Sequence, residues 1–319
     1  MMGVYKKLGF AAFILPIFVV LSLVIKGNIN TNNAVAVMDT TPKTKVVLGG
    51  ESINISMNAT GVIITNNKGE IKAGDILYKI NDLEVTDRYE LNNIKNNIAA
   101  SDITVTYLHN NELVTKTISN DELKNIEGIN NLTGNATITY INPENLKYAA
   151  VAHSVIENVT ITDNNIGTIN TNHINEIIKS TENTVGKFNA TKGTKLGTIE
   201  TINETGMYGT YNKINEEDLI EVGTAKKGKA YIVTTLDNNE KQYYEINIKK
   251  VYANQDDMQI EFTITDKDLI NKTNGILKGM SGSPIVQNGE LVGAVSHAVN
   301  GSNNSGFGLL INEMLENTK

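Results

Sequence analysis

From Ala136 onward the chain breaks into short segments that alternate apolar and polar residues, and this pattern more than any other limits what it can fold into. "ATITYI", "YAAVAHSVI", "VTIT", "GTIETI", "KAYIVTTL", "QYYEINIKKVY", "MQIEFTIT", "PIVQ", "LVGAVSHAV" and "GFGLLI" all have β-type composition, and Gly, Asn and Asp mark the turns between them. Many short strands at close spacing predict an antiparallel barrel or sandwich, so the fold class is mostly β. Two helices are expected beside the strands, a short one at "INEIIKST" and a C-terminal one at "INEMLENTK".

The N-terminal part is organised differently. Lys6 and Lys7 precede an apolar run from Leu8 to Ile25, near the length that crosses a hydrocarbon core. Positive charge before the run favours a cytoplasmic N-terminus and an exported remainder. Residues 1–26 are therefore expected to be a cytoplasmic tip and a membrane anchor or signal segment, with Ala34-Val35-Ala36 as a candidate cleavage site. Residues 27–44 are polar and read as a linker. Residues 45–118 form a unit of their own. Ala73-Gly74-Asp75 is a turn, Ile76–Ile80 a strand, and Asp87 with Glu90 fits the start of a helix whose one face carries Leu91, Ile94 and Ile98. "DITVTYLHNNELVTKTI" reads as a hairpin turning at Asn110-Asn111. Residues 119–135 read as a joining segment, and 136–319 as the second domain.

Composition removes several function classes. The net charge of -7 gives no reason to expect nucleic-acid binding. The absence of cysteine excludes disulfides, thiolate metal sites and a cysteine nucleophile.

The chemistry concentrates in "GILKGMSGSPIVQNGELVGAVSHAV". Glycines on both sides of Ser281 let the backbone turn sharply and expose both a side chain and its amides. In a serine peptidase the amides of the nucleophile and of the residue two before it bind the oxyanion. With Ser281 as nucleophile these are Gly279 and Ser281; with Ser283 they would be Ser281 and Ser283, and Gly279 would have no role. A serine nucleophile needs a base, and there are four histidines: His109, His153, His173 and His297. His109 falls in the hairpin, and His173 in a polar stretch. His153 ends the small-residue run "AAVAH", similar to the stretch that carries the base in chymotrypsin-like proteases. His297, on the strand after the serine turn, is the competing base candidate; on that strand it either lines a specificity pocket or is structural. A carboxylate should orient the base. Asp266, fifteen residues before Ser281, is the candidate by position, with Asp163, Asp218, Asp237, Asp256, Asp257 and Asp268 as rivals.

Two resemblances follow from these residues. Ala73-Gly74-Asp75-Ile76-Leu77, Ile80-Asn81 and the helix after Asp87 resemble a PDZ domain, which implies a module that binds extended peptides or C-termini by strand addition. By that resemblance Leu48, Gly49 and Gly50 are the candidate carboxylate loop; read from the residues alone, Gly49-Gly50 is a hairpin turn. The exported chain as a whole resembles the SpoIVB peptidase family, on the serine stretch, "ITDKDLI", "LGTIETINETGMYGTYNK" and "YAAVAHSV". That resemblance implies a membrane segment, a PDZ domain and a trypsin-like antiparallel barrel, with a triad of His153, Asp266 and Ser281 and no metal or cofactor. It also implies a sporulation peptidase that cuts itself and a membrane-anchored regulator of an intramembrane protease, in the space between forespore and mother cell. One departure is visible: the family commonly has Leu-Gly-His at the base, where this chain has Val151-Ala152-His153. The rival readings are a non-catalytic PDZ adaptor and a general envelope quality-control protease.

Overall fold

The computed structural model describes residues 43–110, 112–151, 167–214, 218–236, 240–252, 258–299 and 302–319. The expected membrane segment and linker up to residue 42, and the candidate base His153, lie outside the described residues. Among the described residues no helix is long and apolar enough to cross a membrane.

The strands are β1 (Lys45–Leu48), β2 (Ser52–Ile64), β3 (Ile76–Ile80), β4 (Leu83–Glu84), β5 (Asp102–His109), β6 (Glu112–Ser119), β7 (Gly128–Ile141) and β8 (Lys147–Ala150). They continue with β9 (Gly167–Ile178), β10 (Lys187–Ile199), β11 (Thr201–Asn203), β12 (Gly206–Thr210), β13 (Leu219–Val222) and β14 (Gly228–Thr235). The last are β15 (Lys241–Val251), β16 (Ile260–Ile264), β17 (Pro284–Gln287), β18 (Glu290–Val299) and β19 (Ser302–Leu310). Helices α1 (Arg88–Asn97), α2 (Asn120–Lys124), α3 (Lys267–Thr273) and α4 (Ile311–Leu315) are short.

The pairings close two rings. In the later ring, the second barrel, β14 pairs with β15, β15 with β16, β16 with β19, β19 with β18, β18 with β17, and β17 returns to β14, all antiparallel. The barrel interior is filled by Ile232, Tyr244, Ile246, Phe262, Ile285 and Val295. Alternate residues of each strand point inward, as the two-residue side-chain period requires. The earlier strands close the first barrel, a ring that runs β2, β9, β10, β12, β8, β7 and back to β2. Its β10–β12 step is made by the Gly197–Tyr211 bridge and the hydrogen bond from Asn212 N to Leu196 O. Ile53, Ile55, Ile138, Tyr148, Ile169 and Met207 fill it. Strand β1 pairs with β7 on one side and with β13 on the other, and β13 runs parallel to β18, so the rings join into one body. Val46, Leu48, Tyr140, Val151, Val233, Val286 and Met314 pack in the layer between them.

A third apolar core, from Val62 to Ile126, belongs to a small lobe built of the end of β2 with β3–β6, α1 and α2. Asp87 caps α1, accepting from Glu90 N at 2.8 Å, and the β5–β6 hairpin turns at Asn110 with φ +49°. His109 bonds the buried Asp75 through Nδ1 at 2.7 Å.

Three expectations are corrected. The Leu48-Gly49-Gly50 segment is not a carboxylate loop: Gly49 N and Gly50 N already donate to Thr139 O and Ile138 O, and Leu48 is buried among barrel residues. Residues 119–135 are not a bare connection but hold α2 and the first half of β7, which pairs with β2 from Asn58 back to Ser52. "INEIIKST" is not a helix; its residues end β9 and enter the turn to β10, because pairing with β10 and packing of the half-buried Ile174 and Ile177 on the second barrel's core outweigh the local helical pattern. The C-terminal helix is present as α4, followed by a single 3-10 turn at Glu316–Thr318.

Candidate active site

The segment between α3 and β17 makes two consecutive reversals. Met280 N donates to Leu277 O and Ser283 N to Met280 O, each closing a four-residue turn. The third residue of each turn is a glycine with positive φ, Gly279 at +107° and Gly282 at +91°. That is the conformation a type II turn demands of its third residue, and glycine adopts it without steric cost. Ser281 is thereby placed at the corner of the second turn.

Neighbouring strands hold this corner by backbone and by buried hydroxyls. Thr137 N donates to Ser281 O at 2.9 Å, Gly282 N to Val295 O at 2.8 Å and Val295 N to Ser283 O at 2.9 Å. Thr137 Oγ1 donates to Gly279 O at 2.9 Å and Thr139 Oγ1 to Gly282 O at 2.8 Å. Both threonines are on β7, buried, and so satisfy carbonyls that would otherwise be stranded in the interior. Sequence reading missed them. The available signal was a pair of threonines at alternate positions of the otherwise apolar "ATITYI".

The amides of Gly279 and Ser281 make no hydrogen bond among the described residues, although Ser281 is only 7% exposed. Two unengaged donors flanking a serine Oγ form a site for a developing oxyanion. Ser281 Oγ donates to Ser296 O at 3.0 Å, and Ser296 Oγ is 2.6 Å from His297 Nδ1. His297 thus lies one residue from the Ser281 contact on β18 and is partly exposed. Ser283 is fully buried, and its Oγ has no hydrogen-bond partner among the described residues.

The first barrel meets this corner through Val151. A Cβ at Gly282 would fall 2.9 Å from Val151 N and 2.0 Å from Thr137 O. The chain that leaves β8 towards His153 therefore starts against the serine turn, with β8 buried in the first barrel on one side and Val151 in the inter-barrel layer on the other. Asp266 follows β16. Since β16 ends where β17 begins in the ring, Asp266 and Ser281 share one end of the second barrel. Its carboxylate caps α3, accepting from Leu269 N at 2.9 Å, and also accepts from Glu245 N at 3.3 Å. The rivals Asp163, Asp237, Asp256 and Asp257 lie outside the described residues, and Asp218 and Asp268 are paired with Lys241 and Lys272. His109 is in the small lobe, and His173 is exposed on β9.

Titratable groups around the first barrel are shifted by burial and pairing. Burial pushes the Tyr148 phenol well above its ordinary value, and that of Tyr208, near the β8 end, up to about 12. The Lys147 ammonium at the start of β8 holds the Glu200 carboxyl below its ordinary value by a direct hydrogen bond, and Thr210 adds a second.

A serine corner with free amides between two closed antiparallel six-stranded rings is the geometry of a serine peptidase, and comparison with known families agrees. The model for SpoIVB peptidase S55 matches residues 127–315, more than half of the chain. The chain belongs to the SpoIVB peptidase S55 family. It is a serine peptidase related to sporulation peptidases, and its substrates are proteins. The matched region begins just before β7 and covers the second core, the Ser281 corner and Asp266. Comparison with curated proteins gives no match.

Proposed function

We propose that this chain is a membrane-tethered serine endopeptidase of sporulation signalling, with Ser281 as nucleophile, His153 as base and Asp266 as the group that orients His153. The observation that carries this is the Ser281 corner, with two unengaged amides and a wall formed by Val151. His153 is two positions after Val151, a reach of at most about 7 Å.

In this mechanism Ser281 Oγ bonds to the scissile carbonyl carbon while His153 takes its proton. The carbonyl oxygen, now negative, accepts from Gly279 N and Ser281 N. Collapse breaks the C–N bond as His153 returns the proton to the leaving amine, and water repeats the cycle on the acyl-enzyme. Nothing in these steps calls for a metal or cofactor.

The lysines before the Leu8–Ile25 run favour an exported remainder, and likeness to sporulation peptidases supports a site of action between forespore and mother cell. Self-cleavage and cleavage of a membrane-anchored regulator of an intramembrane protease are the roles this reading assigns. The small lobe, as a PDZ-like module, would hold a peptide, from a partner or from the chain itself, by backbone addition at an open strand edge. Among the described residues β6 is paired on one edge only.

Mass-spectrometric mapping of the N-termini produced by the wild-type chain, Ser281→Ala and Ser283→Ala tests the reading. Loss of the new N-termini in Ser281→Ala alone supports it. Processing that persists in Ser281→Ala sinks it and leaves an adaptor role. Broad cleavage of unfolded proteins would favour a quality-control protease instead.

A further inference from the structure

The β9–β10 hairpin starts in the first barrel but ends in the second. Its strands pair with each other from Gly167–Ile199 to Ile178–Lys187, while Ile174, Ile177 and Ala190 pack on the second barrel's core and Phe188 is a buried member of it. The tip then grips the segment that leads into the Ser281 corner. Ser180 N donates to Thr273 O at 2.8 Å, Ser180 Oγ donates to Ile276 O at 3.1 Å, and Asn274 Nδ2 donates to Ser180 O at 2.8 Å. Gly186 N donates to Ser180 Oγ at 2.9 Å, and Lys278 N donates to Gly186 O at 2.8 Å. Ser180 is 6% exposed, so these bonds lie out of reach of competing water.

The last contact falls on the oxyanion site. A Cβ at Gly279 would lie 2.3 Å and 2.6 Å from two atoms of the Phe188 ring. The ring therefore abuts the Cα of a residue at φ +107°, whose amide is one of the two free donors. Phe188 is itself fixed by Asn135, whose Nδ2 donates to Phe188 O at 3.2 Å and whose Oδ1 accepts from Asn172 Nδ2 at 2.9 Å. Glycine permits several conformations at 279, and a packed ring on one side with its own carbonyl held by Thr137 Oγ1 on the other leaves one.

We propose that the β9–β10 hairpin of the first barrel sets the direction of the oxyanion-binding amides in the second, with Phe188 and Ser180 as positioning residues. The inference rests on the serine peptidase mechanism above and assigns it a device that spans both barrels. Without the Phe188 ring, Gly279 faces a cavity. Without the Ser180 hydroxyl, the Ile276 carbonyl and the Gly186 amide lose their partner, and residues 276–279 relax away from their present path. A displacement of about 1 Å at a catalytic group can cost on the order of a hundredfold in rate.

The test uses the full-length chain, as wild type, Ser180→Ala and Phe188→Leu, with a fluorophosphonate probe whose P–O oxygen occupies the oxyanion site. Three quantities are read: the saturating rate constant of labelling, the fraction labelled at the end point, and the pH profile of the rate. Mispositioned amides should lower the rate constant tenfold or more in both variants, with the labelled fraction and the pH midpoint as in wild type. A role limited to folding would lower the labelled fraction and leave the rate constant of the folded remainder unchanged, which would overturn the proposal. Rate constants within twofold of wild type in both variants would do the same. A wild-type chain that takes no label at Ser281 would remove the peptidase mechanism itself, and this inference with it.

Discussion

Gly282→Ala should collapse the Ser281 corner. Its φ of +91° costs a residue with a Cβ about 1–2 kcal/mol. The larger effect is steric. The new Cβ would lie 2.0 Å from Thr137 O, about 1.4 Å short of the 3.4 Å at which ordinary contact begins, and 2.9 Å from Val151 N. Both obstacles are backbone atoms, one on β7 and one just past the end of β8, and neither can rotate aside. The turn must therefore move, and the bonds from Gly282 N to Val295 O and from Thr139 Oγ1 to Gly282 O lie on the moving residue. Losing either leaves a buried group unsatisfied, at about 1–3 kcal/mol. A total of about 4 kcal/mol corresponds to a fall in Tm on the order of 8–16 °C for a body of this size. Thermal unfolding followed by far-UV circular dichroism measures it, with fluorophosphonate labelling alongside. A Gly282→Ala chain with wild-type Tm and wild-type labelling would refute the packing argument for the whole corner.

Asp266 carries two roles that separate by substitution. Asn retains the cap acceptor but not the one facing Glu245 N, and Ala retains neither, so Asp266→Asn should lose less Tm than Asp266→Ala, which loses about 1 kcal/mol or more. If Asp266 orients His153, both lose labelling rate by about 10³–10⁴-fold; a wild-type rate in Asp266→Asn would leave only the cap. Ser283→Ala removes a buried hydroxyl that has no partner among the described residues, so stability should hold or rise by about 1 kcal/mol and labelling should be unchanged; a clear loss of either would contradict this. Glu200, held below its ordinary value of 4.5 by Lys147, contributes stability above that pH and loses it as pH falls through the lowered value. Both groups are partly exposed, so the effect is about 1 kcal/mol or less. The Tm gap between wild type and Lys147→Met should therefore close below about pH 4, and a gap constant from pH 7 to pH 3 would speak against the pair.

Much of this was legible in the residues. The alternation from "ATITYI" to "GFGLLI" announced strands, and Gly279 and Gly282 announced a reversal around Ser281, because positive φ is cheap only for glycine. What was hidden is long-range. Strand β2 runs unbroken through Asn58-Ala59-Thr60 and pairs with the first barrel at one end and the small lobe at the other. Local pattern carries no information about such a division. Likewise "KVVLGG" has the turn chemistry of a hairpin loop, and only its pairing with β7 and β13 reveals it as a joint between barrels. Thr137 and Thr139 act across more than 140 residues of chain, and the Ser180 tip across more than 90, separations that no window of sequence spans.

The central claim is that the Ser281 corner is a nucleophile activated by His153. Fluorophosphonate treatment of the full-length chain followed by peptide mapping tests it most directly. A single adduct on Ser281, abolished in His153→Ala, is the predicted result. An adduct on Ser283, or equal labelling of Ser281 in the His153→Ala chain, would contradict it.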